Sequence, residues 1–267
     1  MLLCYNIAMS YLIDTHCHLH DQEWFTPEQA EDFLAQAREK GVEQVVVIGT
    51  DPGDSAAAEQ FANTHENVFW TYGIHPEFLG GHTEAECDDS LLKSCNREKL
   101  VAIGEVGLDY HYEGYDRERQ IRLFEQMLQL AKDNRLPVSL HIREAFEDAF
   151  GVLDNFPEVS GVVHSFTGSK KCLRQVLERG FYVGVNGLAT YTTPPLPPLE
   201  KMLLETDAPF LTPTPFRGTI NSPAMIRTIA EYLAENMGVA IETLAEQTTN
   251  NAKQLFHFRD SLIRSGQ

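Results

Sequence analysis

The chain has no run of about 18 consecutive apolar residues, the length a helix needs to cross a bilayer, so no membrane-spanning helix and no membrane partner are expected. Basic residues are scarce: 21 Lys and Arg stand against 39 Asp and Glu, a net charge of −18. Such a surface repels nucleic-acid backbones and anionic membranes, which excludes non-specific coating of DNA. An anionic substrate would need a local reversal of sign, from metal ions or a few arginines. The five cysteines (Cys4, Cys17, Cys87, Cys95 and Cys172) are odd in number and scattered, with no Cys-x-x-Cys, and read as reduced thiols rather than a disulfide scaffold. No Gly-x-Gly-x-x-Gly opens the first helical stretch, which disfavours a dinucleotide-binding sheet. The opening Met1–Ala8 lacks the positive charge that precedes a secretory h-region, so Met9 is a second candidate start and the cytoplasm is the expected compartment.

What is present is a succession of short apolar runs: Tyr11–Thr15, Gln44–Gly49, Val68–Ile74, Leu100–Glu105, Pro137–Ile142, Gly161–Ser165, Phe181–Val185 and Met202–Asp207. Most do not alternate with polar residues, as expected of parallel strands covered on both faces. Helical patterns lie between them. Thr26-Pro27-Glu28 opens one that Gly41 closes, Asp116–Asn134 is amphipathic, and Ser169–Arg179 ends at Gly180. Two more, about Asn221–Met237 and Ile241–Phe256, complete the set. Alternating strands and helices of this number, in a chain of 267 residues with 43% hydrophobic composition, define an α/β class and predict a single (β/α)8 TIM-type barrel. The expected organisation is an N-terminal extension over 1–10, a barrel domain over 11–258 and a tail over 259–267. Pro194, Pro195, Pro197 and Pro198 fall where the seventh helix belongs and cannot form one, so that helix is expected to be missing or shortened, or residues are absent from the sequence there.

The chemistry concentrates at the ends of these runs. In Ile13-Asp14-Thr15-His16-Cys17-His18-Leu19, residues two apart share a strand face, so His16 and His18 can point at one ion. Asp14 is a candidate orienter of an imidazole or a structural residue, and Cys17 faces the other way into the core. Glu105, His141, His164 and Asp207 end the fourth, fifth, sixth and eighth runs, at the end of a barrel where active sites are built. A buried carboxylate at such a place needs a cation, and few Lys or Arg lie nearby in sequence to provide one. A metal site is therefore expected. Imidazoles with carboxylates suit Zn²⁺ or Mn²⁺, whereas Mg²⁺ prefers oxygen and water.

Taken in order, Ile-Asp-Thr-His-Cys-His-Leu, Gly-Ile-His75-Pro76, Gly-Glu-Val-Gly-Leu-Asp-Tyr, Pro-Val-Ser-Leu-His141-Ile-Arg143, His164-Ser-Phe-Thr-Gly168 and Leu-Glu-Thr-Asp207-Ala-Pro resemble the TatD family of metal-dependent deoxyribonucleases, within the amidohydrolase superfamily. The resemblance runs from about Tyr11 to His257. It implies a (β/α)8 barrel, two divalent metal ions (Zn, Mn or Mg) and hydrolysis of DNA phosphodiesters, often from the 3′ end. It further implies that His16, His18, Glu105 and Asp207 hold the first ion and that Glu105, His141 and His164 hold the second, with Glu105 bridging. Two such ions would activate a hydroxide, with Asp207 taking the proton. The chain departs from the family pattern at Asn221-Ser222-Pro223-Ala224, where Ser222 replaces the usual Glu.

His75, Arg143 and Arg217 are candidate substrate contacts, each with a plainer alternative in packing or surface pairing. Gly168-Ser169 could cradle a phosphate or simply cap a helix. His20, His65, His82, His111 and His257 are expected to be structural or on the surface. Three functions compete: a 3′-5′ exodeoxyribonuclease acting on DNA strand ends, an ester or amide hydrolase such as a D-aminoacyl-tRNA deacylase, and a non-catalytic scaffold. The intact candidate ligands argue against the last. A monomer without an obligate protein partner is expected.

Overall fold

The computed structural model describes residues 11–77, 92, 95 and 97–258. The expected extension over 1–10, the tail over 259–267 and His82 lie outside the described residues. Eight strands form one parallel sheet in sequence order: β1 (Leu12–Cys17), β2 (Val42–Val47), β3 (Val68–Tyr72), β4 (Leu100–Asp109), β5 (Val138–Arg143), β6 (Gly161–Val163), β7 (Tyr182–Val185) and β8 (Met202–Leu204). The two edges meet through a parallel bridge between Cys17 and Ala208. His18 N donates to Ala208 O at 2.7 Å and Asp207 N to His16 O at 2.8 Å. The result is a nearly closed TIM-type (β/α)8 barrel.

The α-helices whose bounds lie among the described residues are α1 (Pro27–Glu39), α2 (Pro52–Thr64), α3 (Arg117–Asn134), α4 (Phe146–Leu153), α5 (Lys170–Glu178), α6 (Ile226–Met237) and α7 (Ile241–Phe256). Their starts follow local chemistry. Thr26 and Gln29 form a reciprocal capping box on α1, and Asp51, Asp116 and Ser169 cap α2, α3 and α5 through their side chains. The Ser169 cap accounts for Gly168-Ser169 without a ligand. The stretch Asn221–Met237 is not one helix: a 3-10 turn over Pro223–Met225 precedes α6. Between β7 and β8 there is no α-helix. Two 3-10 turns, Gly187–Thr190 and Leu199–Lys201, flank the extended prolines, as the sequence requires.

Apolar residues divide into two layers. The larger packs the strands against the surrounding helices. The smaller joins Ile13, Val46, Phe69, Val101, Val162 and Leu203, one from each of six strands, to Phe256 and Phe258 at the end of α7. That plug closes the bottom of the barrel and leaves its polar residues for the opposite mouth.

Candidate metal centre and active-site cleft

The strand edges differ from the expected runs in ways that shape the site. β6 and β8 are short, so His164 and Asp207 follow their strands rather than ending them. β4 is longer than expected, and Glu105 lies inside it, where the register with β5 shifts between Ile103 and Val106. Such an irregularity re-aims a side chain that a regular strand would point elsewhere. Gly107, at φ 147°, lies where a Cβ would strike the His141 carbonyl, so β4 and β5 approach closely beside Glu105 and His141. Asp207 sits in the left-handed region at φ 58°, a conformation short polar side chains tolerate best.

These features bring the six candidate ligands together. Glu105 Oε2 lies 3.3 Å from His16 Nε2, while Oε1 lies 2.8 Å from His141 Nδ1 and 3.3 Å from His164 Nε2. Asp207 Oδ1 lies 3.7 Å from His16 Nε2 and 3.6 Å from His18 Nε2. The rings of His16 and His164 stack at 3.7 Å. Three sets, His16–His18–Asp207, His16–Glu105–His164 and His75–Glu105–His141, each place ligand atoms within 4.8 Å of one another.

Electrostatics fit a cation here. Both ring nitrogens of His16 are buried without a hydrogen-bond partner, although two carboxylates face Nε2. Burial and the neighbouring His164 push the His16 pKa down, which keeps the imidazole neutral with a lone pair to give. Burial also lowers His141 and His164, but carboxylates outweigh it: Asp109 and Glu105 raise His141 to about 9, and Glu105 and Glu205 raise His164 to about 10. Glu105 is held well below the usual carboxylate range, because the surrounding imidazoles overcome the cost of burying it. Protons thus hold the balance that a divalent ion takes over on binding.

The other candidates divide. His75 lines the same cleft, with Nε2 3.6 Å from Glu105 Oε1. Its Nδ1 accepts from the backbone of Glu77 at 3.2 Å, which assigns the proton to Nε2. Arg143 lines the cleft with its guanidinium 5.3 Å above the Tyr112 ring. Arg217 stacks on Tyr191 at 3.5 Å and is not among the residues lining the cleft. Asp14 does not orient an imidazole: it is fully buried and accepts from His16 N and from Thr206, tying β1 to the segment after β8. Cys17 is in the core, as expected. His20 is also buried, bound to Asp54 at 2.8 Å. His65 pairs with Glu31 and His111 with Glu144.

Two carboxylates were missed in the sequence. Asp109 Oδ2 holds His141 Nε2 at 2.9 Å, and Glu205 Oε1 lies 3.2 Å from His164 Nδ1. Asp109 fixes the far side of His141 by a hydrogen bond, and Glu205 sets a negative charge beside the far side of His164. Their signal was spacing: Asp109 is four residues beyond Glu105 on one strand, and Glu205 two before Asp207.

The cleft measures about 300 Å³. Its lining holds Asp21, Glu23, Asp54, Glu77, Glu105, Asp109 and Asp207 against one arginine, Arg143. A cleft so acidic accepts an anionic ester only with cations bound. A barrel carrying such a set of histidines and carboxylates at its mouth defines a metal-dependent hydrolase.

Comparison with known proteins agrees. The family described as TatD related DNase matches residues 13–257. The uncharacterized metal-dependent hydrolase YabD of Bacillus subtilis is 35% identical over 255 residues, covering 92% of this chain and 98% of its own. A 3′-5′ ssDNA/RNA exonuclease TatD of Pantoea ananatis is 34% identical over 241 residues, covering 85% and 92%. The crystal structure of YJJV, a TatD homologue from Escherichia coli, superposes with a TM-score of 0.85 at 30% identity, covering 93% of this chain and 99% of that one. The chain belongs to the TatD family and is a hydrolase acting on ester bonds. Among the described residues, no helix is long and apolar enough to cross a membrane.

Proposed function

We propose that the protein is a 3′-5′ exodeoxyribonuclease acting on DNA strand ends with two divalent ions, Zn²⁺, Mn²⁺ or Mg²⁺. The observation that carries this reading is the double face of Glu105: one carboxylate oxygen toward His16, the other toward His141 and His164. A carboxylate so placed suits a bridge between two ions. His16, His18, Glu105 and Asp207 would hold the first; Glu105, His141 and His164 the second. Bound there, the ions would supply Lewis acidity toward a phosphoryl oxygen, a more acidic water and the positive charge the lining lacks.

The chain's own residues do the rest. Burial raises the Asp207 carboxyl, but His18 and the neighbouring imidazoles more than offset this, so it is ionised near neutrality and able to take a proton from the attacking water. Burial lowers His75 to about 3, so it stays neutral and offers Nε2–H to a substrate oxygen rather than a lone pair to an ion. Arg143 brings the one guanidinium of the lining to a phosphate.

The test is a screen of metal-depleted protein restored with each ion, against 3′-labelled single strands, duplex DNA, RNA and an aminoacyl-tRNA. Release of single nucleotides from DNA ends supports the reading. Activity on the aminoacyl ester alone would replace it with a deacylase.

A further inference from the structure

Two large aromatics stand at the lip of the cleft with much of their surface in water. Trp24 is 47% exposed and Phe210 45% exposed, yet both line the same cavity as Asp207. Their rings meet edge to face, centroids 5.3 Å apart and 77° between planes, and Phe210 lies 6.4 Å from the ring of His18. Trp24 comes from the turn after β1 and Phe210 from the segment after β8, the two elements that carry His16, His18 and Asp207. Core packing does not account for them there, because each leaves close to half of its surface in solvent while lining the cleft.

We propose that Trp24 and Phe210 form an aromatic corner platform for one unpaired nucleobase next to the phosphodiester that is cut, the base stacking on one ring and meeting the other at an edge; this rests on the nuclease reading above. Three observations converge on that occupant. Aromatic faces stack any base without reading its sequence. The cavity of about 300 Å³ is at the small end for ligand sites, suited to one nucleotide and not to a paired duplex. With seven carboxylates and one arginine in the lining and a net charge of −18, little positive surface exists to track a backbone, so stacking supplies affinity that charge does not. The platform therefore selects strand ends whose last base is unpaired.

The sequence offers a direct probe. Of the two tryptophans, Trp70 is buried at 2% exposure, so quenching by an added ligand reports Trp24. Metal-loaded protein is titrated with a phosphorothioate-linked thymidine trimer and with the same trimer made of abasic sugars. The base-bearing trimer is expected to quench saturably and the abasic trimer not to quench. Phe210→Ala should weaken trimer binding by about 5- to 100-fold, the loss of one base–aromatic contact. In hydrolysis of ordinary phosphodiester trimers, Trp24→Ala should raise KM by a similar factor at unchanged kcat, with Trp24→Phe restoring most of it. Equal binding and equal KM for base-bearing and abasic trimers overturns the platform while leaving the nuclease reading intact. If neither trimer is bound or cut, both fall together.

Discussion

Asp14 holds Thr206 across the seam of the barrel, its Oδ1 accepting from Thr206 N at 2.9 Å and its Oδ2 from Thr206 Oγ1 at 2.5 Å. The two residues are 192 positions apart in sequence and both fully buried. This clamp fixes the relative position of His16 and His18 on one side and Asp207 on the other. A single short pair thus links closure of the fold to assembly of the site.

Removing the clamp should cost stability and order. Asp14→Ala leaves the buried donors of Thr206 and His16 without an acceptor, at about 1–3 kcal/mol. Asp14→Asn keeps an oxygen for the backbone donors and should lose less. Urea unfolding of the two variants checks the order; equal losses would deny the clamp its specific role.

A second carboxylate outside the ligand set controls acid stability. Burial raises Asp54, but the His20 imidazole at 2.8 Å and the Thr50 donors overcome it and hold the carboxyl at about 2, against 3.8 when unfolded. The ionised form is therefore worth more in the folded chain. That contribution is complete above pH 4 and is lost as pH falls from about 4 to 2, at about 2 kcal/mol in all. Asp54→Asn should show a correspondingly smaller loss over this range by thermal unfolding at stepped pH.

Glu205 should act on metal affinity through His164. Its Oε1 lies 3.2 Å from His164 Nδ1, and its carboxylate occupies the space where a Cβ on Gly184 would be. Glu205→Gln keeps the volume and removes the charge that orients the ring. Metal affinity by calorimetry should fall about 10- to 100-fold. Unchanged affinity would mean that the pair serves packing alone.

The barrel was legible because its strands are runs of Val, Ile and Leu separated by capped helices, signals that depend on neighbours in sequence. Thr26 and Gln29 announce α1, and four prolines announce the missing helix between β7 and β8. The candidate ligands were legible because each stands at or just past the end of an apolar run in the sequence. What sequence hid was long-range. The register shift that turns Glu105 inward depends on how β4 meets β5. The partners of Asp14 and of His164 both follow β8, across the seam from β1 and two strands along from β6, and nothing local marks them. Trp24 and Phe210, 186 positions apart, meet only because the barrel closes.

The central claim is that Asp207 takes a proton during metal-dependent hydrolysis of a phosphodiester. The most direct measurement is kcat on a 3′-labelled single strand for wild type and Asp207→Asn, with metal content assayed on the same samples. Asn keeps the volume and one coordinating oxygen but loses the charge and the base. The account predicts that kcat falls by about 10²–10⁴ in protein that still carries its ions, and that wild type is inactive until ions are restored. Near-wild-type kcat for Asp207→Asn at full metal occupancy would contradict it.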